Sequence, residues 1–164
     1  MRPRLLALWL VGLMLLPACG RHRALKPSGA EGGFRTSEPG DGWVWVRPGG
    51  ADRAWYHEER MATIYVDSNC NRRHVDNQLS DAMRHLTAGL TLGEPEREEA
   101  LRLDGRDALL RVYNVTLDGI ALRMGVVVLN KDVCTYDMVY LAPSQRFEDG
   151  WADFVQIVSG FQVF

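Results

Sequence analysis

One dipeptide constrains the fold more than any other feature. Asp118-Gly119 separates two apolar runs, Ala108–Leu117 and Ile120–Leu129. An Asp-Gly pair supplies positive φ at both central positions of a two-residue turn, whose twist suits the flanking strands. The predicted hairpin pairs Leu117 with Ile120, Val115 with Leu122 and Tyr113 with Met124. Leu109, Tyr113, Val115 and Leu117 then share a face with Ile120, Leu122, Met124, Val126 and Val128, and Arg111 is the one polar member. A slip of one residue would turn that face to water, so turn and pattern specify the same register. Asn130-Lys131-Asp132 reads as a second tight turn. Val133–Ala142 returns as a third antiparallel strand, which Pro143 stops. Such short connections disfavour a doubly wound parallel sheet, which needs long crossovers.

Other segments follow from their periods. Met61–Asp67 alternates as a half-buried strand. Val75, Leu79, Ala82, Met83, Leu86 and Leu90 form the apolar stripe of a helix over about 74–89. Phe147, Trp151, Phe154, Val158 and Phe161 predict a second helix, from Gly150 or Trp151 to Ser159. Its aromatics are expected against the face centred on Tyr113, Met124 and Val126. Trp43-Val44-Trp45-Val46 reads as a strand apolar on both faces, so both are expected to be covered. Trp43 and Trp45 there are core or edge residues, or the lining of a ligand pocket. The acidic stretch Pro95–Ala100 is expected to add one exposed helical turn. With 164 residues, 46% hydrophobic and 24% charged, the chain supports one globular domain. The expected class is α+β, an antiparallel sheet of about five to six strands flanked by two main helices in an α/β/α sandwich.

The N-terminus carries an address. Arg2 and Arg4 precede the apolar run Leu5–Leu16, and Leu5–Ala18 is too short to anchor a chain across a bilayer. Leu16-Pro17-Ala18-Cys19 resembles the bacterial lipoprotein box. That resemblance implies cleavage of residues 1–18 and lipidation of Cys19 with palmitate-type acyl chains. Gly20 after it implies the outer membrane, facing the periplasm. More than one acyl chain would make the anchoring stable. Residues 19–33 then comprise the lipidated Cys and a flexible Gly- and Arg-rich tether, and 34–164 the domain. Cys70 and Cys134 remain, 64 positions apart. In an oxidising envelope they can pair; the alternative is two buried small hydrophobes.

No G-x-G-x-x-G, G-K-[ST], G-x-S-x-G or H-E-x-x-H occurs. His57-Glu58-Glu59 lies in a stretch without periodicity and is expected to face solvent. His74 and His85 would stand roughly 16 Å apart on the first helix, too far for one metal ion. Asp67 and Asp137 can act as an acid pair only if the fold joins them; otherwise Asp137 is expected to be partly exposed or paired with Arg111 or Arg123. Arg72, Arg73 and Arg84 can form a basic patch suited to an anion. No metal, cofactor or nucleic-acid partner is expected, and the scattered arginines and a formal charge of -2 argue against the last.

The order of elements resembles the PsbP/Mog-like fold family. The pieces are the Phe34 strand, the Trp43 strand with Pro48, Gly105-Arg106-Asp107-Ala108, the Asp118-Gly119 turn, Tyr136-x-x-x-Tyr140-x-Ala142-Pro143, Phe147, Phe154 and Ser159-Gly160-Phe161. They cover most of residues 34–161. The resemblance implies a non-enzymatic binding or assembly subunit, here of an envelope protein complex and held to the membrane by its lipid. Two other readings remain open. One is a small-molecule or lipid-binding module, with an apolar cavity lined by Trp43, Trp45 or Trp151. The other is a hydrolase with an unrecognised site.

Overall fold

The computed structural model describes residues 33–47, 49–70 and 78–164. Its elements are β1 (Phe34–Arg35), β2 (Trp43–Trp45), β3 (Arg53–His57), β4 (Ala62–Asn69), α1 (Leu79–Leu86), β5 (Arg97–Leu103), β6 (Arg106–Leu117), β7 (Ile120–Lys131), β8 (Cys134–Pro143), α2 (Phe147–Ser159) and β9 (Gln162–Val163). A 3₁₀ turn, Ser144–Arg146, leads into α2. Among the described residues seven strands form one antiparallel sheet in the order β2-β3-β4-β8-β7-β6-β5. β1 and β9 pair separately and tie the two ends of the domain together. The class is α+β, with more strands than the five or six expected.

The hairpin has the register its turn dictates: Leu117 opposes Ile120, Val115 opposes Leu122 and Tyr113 opposes Met124. Asp118 and Gly119 take φ of 50° and 79°. The β7–β8 turn is one residue later than expected. Asp132 and Val133 occupy it at φ 50° and 66°, so Val133 leaves the strand for a left-handed conformation that β-branched residues resist. The stretch 95–100 is not helical, because Arg97–Leu103 pairs along the whole start of β6. Asp104-Gly105 turns this pair with φ of 46° and 76°. It is the same device as Asp118-Gly119.

Each face of the sheet carries its own core and helix. Met83 of α1 is fully buried against Tyr113, Val115, Met124, Val126 and Val128, with Leu79 and Leu86 beside it. The opposite face, with Leu110, Val112, Val127, Leu129, Tyr136, Met138 and Tyr140, receives Phe147, Phe154, Ile157 and Val158 of α2. This reverses the expected placement of the aromatic helix. The reason is relief: that face has small residues at Ala108, Gly125 and Ala142. A Cβ on Gly125 would lie 2.6 Å from the Trp151 ring. Tyr140 stacks on Phe154 at 5.8 Å between ring centroids, and its hydroxyl donates to the Phe147 carbonyl at 2.8 Å. The large rings therefore sit over a glycine floor, which the Tyr113 face lacks.

β2 is only partly covered. Trp43 packs on the α2 core, whereas Val44 is 64% and Trp45 59% exposed, against the expectation that both faces are buried. His57, expected in solvent, is 6% exposed at the end of β3, with Trp43 edge-on at 5.4 Å. The Ala54–His57 run was unrecognisable as a strand because both of its faces contact protein near the Trp55 position. Cys70 and Cys134 are joined by a disulfide, which fastens the chain after β4 to the start of β8. Residues 74–77 of the expected first helix lie outside the described residues.

Candidate functional site

The residues proposed from sequence do not form one site. Cys19, Arg72 and Arg73 lie outside the described residues. Arg84 is exposed in the last turn of α1 and is paired with Asp81. Trp43 and Trp45 share a face of β2, but they do different things. The Trp43 indole donates to Asp153 at 2.9 Å, while Trp45 stays open at the sheet edge. Asp153 gathers further donors: the Gly40 amide at 3.2 Å and the Arg60 guanidinium. Burial alone would push its carboxyl up. The Trp43 and Arg60 hydrogen bonds with the Gly40 amide outweigh that and hold it below the usual carboxylate range. Asp153 thus rivets α2 to β2 and the loop after β3, a structural role with no sequence motif to reveal it.

Topology joins two acids that sequence left apart. β4 pairs with β8, and Asp67 stands directly opposite Asp137. Asp137 is 8% exposed, and its Oδ2, like Oδ1 of Asp67, has no hydrogen-bond partner. Burial first, then the charges of Asp67 and Asp52, push the Asp137 carboxyl up to about 7. Asp67 is raised by burial and by Asp52, and Tyr65 is pushed up to about 12 by burial, then by the charges of Asp137 and Asp67. Ser68 donates to Asp52 beside them. Neither Arg111 nor Arg123 reaches Asp137: Arg111 pairs with Glu98 and Arg123 with Glu96 and Glu148. This corrects the expectation that Asp137 is partly exposed or ion-paired. Chemically the pair can hold one proton between two carboxylates, as crowded like charges do. Among the described residues no group of three His, Cys, Asp or Glu is placed to hold a metal ion.

A concave feature among the described residues lies on the other face. A groove of about 250 Å³ runs between α2 and the β5–β6 side of the sheet. Leu101, Leu103, Leu110 and Val127 form its floor, and Trp151, Phe154, Val155 and Val158 its wall. Arg97, Glu99, Arg102 and Ser159 supply the polar atoms of the rim. The Arg97 guanidinium lies 5.4 Å over the Trp151 ring and is 2.7 Å from Glu99. The groove exists because α2 packs toward the β8 side of the sheet and the β5 side lies beyond it. Sequence singled out Trp151 as a cavity-lining candidate; β5, which builds the opposite bank, was missed. The repeated Asp-Gly turn at 104–105 was the clue to it. Among the described residues no helix is long and apolar enough to cross a membrane.

No protein-family model matches the chain, and no curated protein matches it. Solved structures do. CyanoP, the cyanobacterial PsbP of Synechocystis sp. PCC 6803, superposes with a TM-score of 0.60 at 17% identity, covering 80% of this chain and 87% of CyanoP. LpqN of Mycobacterium tuberculosis, described as involved in cell envelope biogenesis, gives 0.57 at 11% identity over 83% and 87%. A Bacteroides thetaiotaomicron protein gives 0.56 at 7% identity over 80% of this chain and 45% of that one. At such identities the likeness is one of fold. The chain shares the PsbP-like architecture: a multi-stranded antiparallel sheet flanked by helices.

Proposed function

We propose that this chain is a non-enzymatic accessory protein of the bacterial envelope, anchored through a lipidated Cys19 and presenting its domain to a partner in an envelope complex. The observation that carries the reading is Leu16-Pro17-Ala18-Cys19, set 15 positions ahead of the first strand at Phe34. A linker of that length suffices to hold a domain near a membrane surface. Two supports stand beside it. A fold shared with LpqN, itself described in envelope biogenesis, suits the compartment. The disulfide between Cys70 and Cys134 suits an oxidising one. The proposed site of lipidation is Cys19, and the proposed orientation is outer membrane facing the periplasm.

Affinity isolation of the processed protein from detergent-solubilised envelopes tests this, with Cys19→Ala alongside. The expected outcome is acyl modification of Cys19 by mass spectrometry and a stoichiometric envelope partner held only by the anchored form. A soluble, unmodified wild type, or a partnerless monomer in both preparations, would sink the reading.

A further inference from the structure

We propose that the groove between α2 and β5–β6 binds a single-chain anionic amphiphile, with its acyl chain along the α2 wall and its acid head at Arg97. The proposal invokes neither Cys19 nor a protein partner, so its fate is separable from that of the accessory reading. Three features choose the occupant. The first is the lining: apart from the rim, floor and wall are aliphatic or aromatic, and Val155 on the wall remains 46% exposed. A half-open apolar trough of this kind favours a hydrocarbon guest.

The second feature is size. From Trp151 to Val158 the wall runs two helical turns, about 10 Å. The groove, about 250 Å³, lies below the roughly 300–1,000 Å³ of sites that enclose drug-sized ligands. One chain of medium length fits these dimensions, and a two-chain lipid does not. The third is charge. Two arginines face one glutamate around the rim. Arg102 is engaged by Asp107 and the Gly105 carbonyl, whereas Arg97 sits over Trp151 at the groove's end, and among the described residues its ion-pair partner is the exposed Glu99. An exposed pair of this kind is weak, so the guanidinium retains donors for a carboxylate. An incoming β-strand is a poorer guest. The outer edge of β5 carries Arg97, Glu98, Glu99 and Arg102, the charges that guard edges against pairing.

The test is calorimetric titration of the full processed chain with octanoate, decanoate and dodecanoate below their micelle concentrations. Decyltrimethylammonium serves as the cationic counterpart. Saturable binding at one site is expected, with affinity rising about fourfold per added methylene until the chain outgrows the wall. The cationic counterpart should bind at least about tenfold more weakly than decanoate. Val155→Glu, an exposed change that leaves the thermal midpoint in place, should weaken decanoate by about tenfold or more. Arg97→Gln should abolish the preference for the acid by weakening decanoate and not the cationic probe. No saturable heat, equal affinity for both head groups, or full binding by Val155→Glu would each overturn the proposal. So would a dimer in sedimentation that Val155→Glu dissolves, because a second copy would then be the occupant.

Discussion

Asp137 shows how one residue can couple the whole domain to pH. Its carboxyl is raised to about 7 from an ordinary value of 3.8, by burial and by the facing charges of Asp67 and Asp52. A raised acid stabilises the folded state when protonated. Its contribution is full below about 4 and is lost as pH climbs to 7. Asp67, shifted the same way, adds to the trend. Unfolding free energy is therefore expected to be higher at pH 5 than at pH 8, by on the order of a few kcal/mol. Asp137→Asn should flatten that slope in denaturant titrations at the two pH values; an unchanged slope would place the titration elsewhere. The individual residues of this pair were visible in the sequence, but their opposition was not. Asp67 and Asp137 lie on strands far apart in the chain, and only the β4–β8 register brings them face to face. The same holds for Asp153, whose Trp43 and Arg60 partners come from distant segments.

At the scale of elements, local chemistry explains both what was legible and what was not. The β6–β7 hairpin was readable because turn and alternation agree over its whole length. β5 was not, because Arg97, Glu98 and Glu99 pattern like a solvated loop. In the fold they sit on an edge strand, where charge is tolerated and where Arg111 and Arg97 pair with them. The aromatic helix was recognised by its period, but period reports a stripe and not the surface it meets. Gly125 decides that surface, since the Trp151 ring occupies the space a side chain would take. Gly125→Ala is expected to cost about 1–3 kcal/mol through overpacking and to shift Trp151 fluorescence. A change without effect on either would show that α2 does not depend on this recess.

The whole molecule is held by contacts of long sequence range. β1 meets β9, Phe34 stacks on Phe161 at 5.5 Å between centroids, and the Cys70–Cys134 disulfide closes a loop of 64 positions. Loop-closure entropy assigns that cross-link about 4 kcal/mol. Cys70→Ala/Cys134→Ala is expected to lower unfolding stability by roughly 2–4 kcal/mol with the native far-UV spectrum retained. Reductant should reproduce the loss in the wild type only; equal stability of the two proteins would deny the bond a structural role. By itself the sequence determined the hairpin register, the periods of β4 and of β6 to β8, both amphipathic helices and the α+β class. Each depends on turn chemistry or on a period read over neighbouring residues. Tertiary structure alone decided which face each helix covers, which acids meet, and that a groove remains beside β5. Those depend on β4 docking against β8 rather than the next strand in the chain, and on the shape that small residues leave in a sheet, and neither is encoded within a short window of sequence.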